Sequence, residues 1–127
     1  MKNPDDGFLK GRLRSIKFAI RGMWLLMTTE DSIKAQLFFA VLAIVLGFLF
    51  NISSIEWMFQ FLVTGLVLVA ESLNTAVEKV ADFIHPDYHK KIGFIKDISA
   101  GAPSFAAITS LIIAGIIYVP KIIELLS

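Results

Sequence analysis

Glu71, Asn74, Glu78 and Asp82 sit in the stretch A-E-S-L-N-T-A-V-E-K-V-A-D, directly after the apolar run W-M-F-Q-F-L-V-T-G-L-V-L-V. On a helix their spacing of i, i+3, i+7 and i+11 confines them to an arc of about 80°, a polar stripe about 16 Å long. Ionisable groups at membrane depth are costly and mark function by default. Asp82 is explained well, and Glu78 fairly, as the end of a helix leaving a membrane. Glu71 is not, because apolar sequence lies on both sides of it. A carboxylate in such a setting suits a general base. The others suit a hard cation such as Mg2+, which takes a few protein oxygens together with those of a phosphate. Glu30, Lys96 and Asp97 stand at the starts of the two other apolar segments, so Glu30, Glu78 and Lys96 are predicted to meet at one level. A base, acidic oxygens and a lysine at a membrane edge point to phosphoryl transfer. No G-x-x-x-x-G-K-[S/T] loop or glycine-rich kinase loop is present to hold a nucleotide in the usual way.

The segments that carry these residues are set by composition. The 127-residue chain is 56% hydrophobic and only 18% charged, with a mean hydropathy of +0.72. That is too apolar for a small soluble domain. With no cysteine, disulfides and thiolate metal sites are excluded. Ala35–Ile55 and Ile98–Pro120 lack any charge and are long enough for membrane helices, which need about 20 apolar residues. The run from Trp57 spans only if Glu71 lies inside the membrane or at its edge. The expected architecture is therefore all-α and a single domain: an amphipathic helix over about residues 8–27, then spans over about 33–52, 55–83 and 97–120.

Lys and Arg set the orientation. Residues 1–34 hold seven (Lys2, Lys10, Arg12, Arg14, Lys17, Arg21, Lys34), the first loop none, and the stretch 79–97 four. The positive-inside bias then puts the N-terminus, the second loop and the carboxylate stripe on the cytoplasmic side, where ATP is. No cleavable signal peptide is expected, nor a nucleic-acid partner. Lys10, Arg14, Lys17 and Arg21 recur on a different helix face from Leu13, Ile16, Ile20 and Met23, as in a helix lying on anionic headgroups. Residues 1–7 read as a frayed lead-in. Thr29 or Asp31 is the expected N-cap of the first span, and Gly47, Gly65 and Gly115 are candidates for close helix approach. His85 and His89, in a loop beside lysines, are more often solvated than ligands.

The order A-E-S-L-N-T-A-V-E-K-V-A-D, then D-Y-H, then K-D-I-S-A-G-A resembles the signature of the small prokaryotic integral-membrane lipid kinases, the diacylglycerol kinase and undecaprenol kinase family. That pattern is approximately E-x-x-N-[ST]-A-[IV]-E-x-x-x-D, then Y-H, then a K-D pair opening the last span. The upstream S-I-K-F-A-I-R-G, with Glu30 eight residues beyond Gly22, is also similar, so the resemblance covers nearly the whole chain. It implies homotrimers of three-span subunits in the bacterial inner membrane, with active sites shared between neighbours. It also implies MgATP as donor and a membrane lipid alcohol as acceptor. By the same resemblance Glu71 is the catalytic base and meets the lipid together with Ala100, and Glu30 and Glu78 are metal ligands. Asn74, Glu30, Glu78, Asp87, Tyr88, His89, Lys96 and Asp97 form the nucleotide site.

The chain departs from the pattern in places. Phe18 stands where some relatives have a nucleotide-contacting Tyr, Gln36 where His or Glu is frequent, and Lys34 where Arg is common. Arg12 and Arg14 are both candidates for an N-terminal nucleotide-contacting Arg. Pro103 replaces an aliphatic residue and is expected to be tolerated early in a helix. S-I-E-W (Ser54–Trp57) and Y-V-P-K-I (Tyr118–Ile122) look more like the undecaprenol kinase branch; diacylglycerol is the alternative acceptor. Two readings of other classes stand beside these: a proton-coupled transporter using Glu71, and a non-enzymatic membrane subunit.

Overall fold

The computed structural model describes residues 3–127. Lys2, counted above among the N-terminal basic residues, lies outside them. The described residues form four helices: α1 (Phe8–Thr29), α2 (Asp31–Leu49), α3 (Ser54–Ile84) and α4 (Lys90–Leu126). The last three are long and apolar enough to cross a membrane, and α1 buries none of its residues. The chain is thus an all-helical membrane protein with an N-terminal helix preceding three candidate spans.

Each connection has a local cause. α2 gives way to the turn before α3 through a left-handed residue, Asn51, with φ of 49°. Asn tolerates that conformation better than most residues. Ile52 N–H then reaches Gly47 C=O at 3.1 Å and Asn51 N–H reaches Phe48 C=O at 3.2 Å, which satisfies carbonyls left open at a helix end. Ser53 caps α3 reciprocally: Glu56 N–H donates to its hydroxyl at 3.2 Å and Ser53 N–H donates to Glu56 Oε1 at 3.0 Å. At the other end, His89 caps α4 by accepting from Lys91 N–H at 3.1 Å.

α3 and α4 form the most extensive interface, antiparallel and in one register. Lys96 pairs with Asp82 near one end and Tyr118 with Gln60 further along, so equal steps along the two helices separate the two contacts. Lys121 continues the series, 3.1 Å from Glu56. Asp82 thus lies level with Lys96, Glu78 with Ala100, and Glu71 with Ala107. α2 packs on α3 where Gly47 meets Trp57. A Cβ on Gly47 would stand 2.5 Å from the indole, so only glycine fits.

Several expectations are corrected. Neither Thr29 nor Asp31 caps α2; Glu30 holds that position, without a side-chain cap bond. Thr28 and Thr29 instead continue α1, each hydroxyl donating to a carbonyl four residues back. α4 begins at Lys90 rather than near Asp97 and does not stop at Pro120. Pro103 therefore lies well inside a helix, not near its start. Its missing N–H is tolerated beside neighbouring protein, where it is buried at the α3 face. Gly65 and Gly115 face open space, so only Gly47 acts as a close-approach glycine. Residues before α1 are also anchored: Asp6, with a side chain 4% exposed, pairs with Arg14 at 2.5 Å and Lys10 at 3.6 Å.

Candidate active site

The stripe forms on α3 because nothing interrupts that helix from Ser54 to Ile84. Counting the rise per residue from Ser54, Glu71 sits about 26 Å along it, a length that approaches the thickness of a hydrocarbon core, about 30 Å. Glu78 and Asp82 lie further along the helix. Glu71, Asn74 and Glu78 are all half-buried. Asn74 Nδ2 donates to Glu78 Oε1 at 3.3 Å, while Asn74 Oδ1 is buried with no hydrogen-bond partner. Among the described residues no ion pair includes Glu71.

The stripe's inner end carries its own cation. Lys96 donates to Asp82 Oδ1, so the lysine expected near phosphate is held about 16 Å along the helix from Glu71. The sequence reading treated Asp82 as a helix end, and only the α3–α4 register reveals it as this partner. Asp97 is exposed beside Lys96, and Ala100 is half-buried at the level of Glu78. In the connecting loop Asp87 and His89 are exposed and Tyr88 is 92% exposed. His85 Nδ1–H donates to the Asp87 carbonyl, 2.8 Å away, and the two histidine rings are 5.0 Å apart.

Glu30 faces a different side of α3. A cleft of about 670 Å³ lies between the α1–α2 junction and the face of α3 that carries Ser72, Thr75 and Lys79. Across it Lys79 Nζ meets Glu30 Oε1 at 3.0 Å, and the Thr29 hydroxyl, whose nearer acceptor is Leu25 C=O, lies 3.1 Å from the same oxygen. The hydrogen bond from Lys79 holds the Glu30 carboxyl below its ordinary value of 4.5, against a smaller opposing effect of burial. Glu30 is thus partnered by Lys79. Lys79 is adjacent to Glu78 in sequence but about 100° around the helix from it. Of the two candidate arginines, Arg14 is tied to Asp6, whereas Arg12 lies over the Phe8 ring at 5.5 Å.

The donor set suits a hard cation. Glu78 and Asn74 offer a carboxylate and a buried, uncommitted amide oxygen one turn apart. Among the described residues no three His, Cys, Asp or Glu side chains gather into a metal-binding group. A hard cation held here would take few protein oxygens, and Mg2+ is an ion that keeps waters and binds phosphate.

The family model for prokaryotic diacylglycerol kinase matches residues 17–118. An undecaprenol kinase of Bacillus subtilis (strain 168) is 37% identical over 109 residues, covering 86% of this chain and 89% of that protein. A diacylglycerol kinase of Synechocystis sp. is 30% identical over 115 residues, covering 90% of this chain and 66% of that protein. A diacylglycerol kinase of Escherichia coli (strain K12) is 26% identical over 112 residues, covering 88% and 91%. A family model matched over most of the chain and an undecaprenol kinase 37% identical across it favour an enzyme over the transporter and non-enzymatic readings: the chain belongs to the prokaryotic diacylglycerol kinase family and is a lipid kinase.

Proposed function

We propose that the chain is a single-domain kinase, spanning residues 1–127, that phosphorylates the hydroxyl of undecaprenol at the cytoplasmic face of the bacterial inner membrane, with ATP as donor. The observation that carries the choice of lipid is the 37% identity to an undecaprenol kinase across 86% of this chain and 89% of the relative. Diacylglycerol is the second reading, favoured by the Synechocystis relative and by the family model's own description.

In this mechanism the lipid hydroxyl arrives laterally from the bilayer and reaches Glu71 at the edge of the hydrocarbon core. Ala100, level with Glu78, has a side chain small enough to leave room for the lipid beside α3. Glu71 accepts the hydroxyl proton as the oxygen attacks the γ-phosphorus in line, and the bond to the β–γ bridging oxygen breaks to release ADP. Lys96 offsets charge on the phosphates, with Asp97 beside it, and Asp87, Tyr88 and His89 reach the nucleotide from the exposed loop. Glu78 and Asn74 would hold Mg2+, with Glu30, which lies on another side of α3 within one subunit, supplied to the ion across the trimer; when bound, the ion neutralises charge on the transferring group. The Lys and Arg bias supports a cytoplasmic N-terminus. The half-buried stripe supports a homotrimer in which a neighbouring subunit completes the site.

Transfer of label from γ-labelled ATP to undecaprenol and to diacylglycerol, run side by side in mixed micelles, tests the assignment. Undecaprenyl phosphate is expected to form faster. Label appearing on diacylglycerol alone would overturn the choice of lipid and leave the kinase standing.

A further inference from the structure

Lys79 and Glu30 meet outside the stripe, across the cleft between the α1–α2 junction and α3. Both contacts to the carboxylate, from Lys79 and Thr29, fall on the same oxygen, Oε1. The lysine side chain is 67% exposed, while the Glu30 side chain is 20% exposed. One partner is therefore held in place and the other is free to leave.

We propose that Lys79 is a placeholder counter-ion: its ammonium occupies Glu30 while no cation is bound there, and it withdraws when a divalent ion arrives. Lys79 then sets how much of that ion is needed to load the site. This rests on the reading of Glu30 as a cation ligand. An ammonium on a four-carbon stem is a mobile point charge, and the cleft of about 670 Å³ gives it space into which to swing. The pair is weak because it is exposed, so exchange costs little. It also keeps the partly buried Glu30 carboxylate from standing uncompensated.

The test is Mn2+ binding to the full-length chain in detergent, without nucleotide or lipid, followed by the electron paramagnetic resonance signal of free Mn2+. In Lys79→Met, which keeps the length and removes the charge, binding is expected to tighten about twofold to fivefold. Lys79→Arg keeps the charge and is expected to stay near the parent. Glu30→Gln is expected to weaken binding and to abolish the effect of Lys79→Met in the double variant. If Glu30→Gln weakens binding but Lys79→Met leaves it unchanged or weaker, the placeholder role is wrong and the Glu30 reading stands. If Lys79→Met tightens binding equally in the Glu30→Gln background, the effect is one of bulk charge and the proposal also fails. If Glu30→Gln leaves Mn2+ binding untouched, the Glu30 reading itself fails. Lys79→Gln replaces Lys79→Met should the latter not fold.

Discussion

The two halves of the α3–α4 pair treat polar side chains in opposite ways. In the half away from the stripe, Gln60 is 6% exposed, donates from Nε2 to Ala43 C=O at 3.0 Å, and accepts from the Tyr118 hydroxyl. Three helices are tied together there, and the polar atoms are consumed by one another. In the other half Asn74 Oδ1 is buried without a partner, Glu71 has no ion pair among the described residues, and the lysines that are paired remain partly exposed. A buried polar group that is satisfied specifies structure. One left unsatisfied costs stability and marks where a ligand completes it. The comparison separates two kinds of polarity that hydropathy alone treats as one.

The separation breaks most sharply at Glu71. Glu71→Gln is expected to reduce label transfer by about 10²-fold or more, the usual share of a general base, with ATP binding retained. Full activity in that variant would remove the base assignment. Substitutions in the other half are expected to change stability and leave the rate per folded molecule intact. Gly47→Ala drives a methyl into Trp57 and should cost about 1–3 kcal/mol, read by thermal unfolding in detergent. Tyr118→Phe leaves Gln60 Oε1 unpaired in a buried site and should cost about 1–2 kcal/mol. The double variant Gln60→Leu with Tyr118→Phe should recover most of that loss, since both partners leave together. A fall in kcat from either would show that this cluster also serves the chemistry.

The smallest effect concerns acid. Lys79 holds the Glu30 carboxyl below its ordinary value of 4.5. The associated stabilisation is complete above that value and is lost as pH falls through the lowered one. Lys79→Met lacks it at every pH. Its unfolding curve, followed by tryptophan fluorescence, should lie slightly below the parent near neutrality and converge with it on acidification below about pH 4.5. Curves that diverge on acidification would contradict the pairing.

The spans and the stripe were legible because both depend on spacing along one chain. Charge-free runs of helical length fix the first, and i, i+3, i+7, i+11 fixes the second. The Ser53–Glu56 cap is local and equally short-range. What escaped is tertiary. Gln60 and Tyr118 are 58 positions apart and lie in apolar runs that give no sign of pairing. Lys79 meets Glu30 across the α1–α2 junction, and Lys96 meets Asp82 only because α4 starts at Lys90 and returns in register. Pro103 was assigned to the beginning of a helix because charged residues 90–97 look like loop. They are helix that stands clear of the hydrocarbon, where charge costs little.

α3 is 31 residues long, about 46 Å of helix, against a hydrocarbon layer of about 30 Å. The excess makes the helix a depth gauge. With Ser53 and Glu56 pinned at one surface, the thickness of the surrounding lipid decides whether Glu71 is submerged or wetted. A helix longer than the layer it crosses is accommodated by tilt or local compression, at a cost of fractions of a kcal/mol per Å.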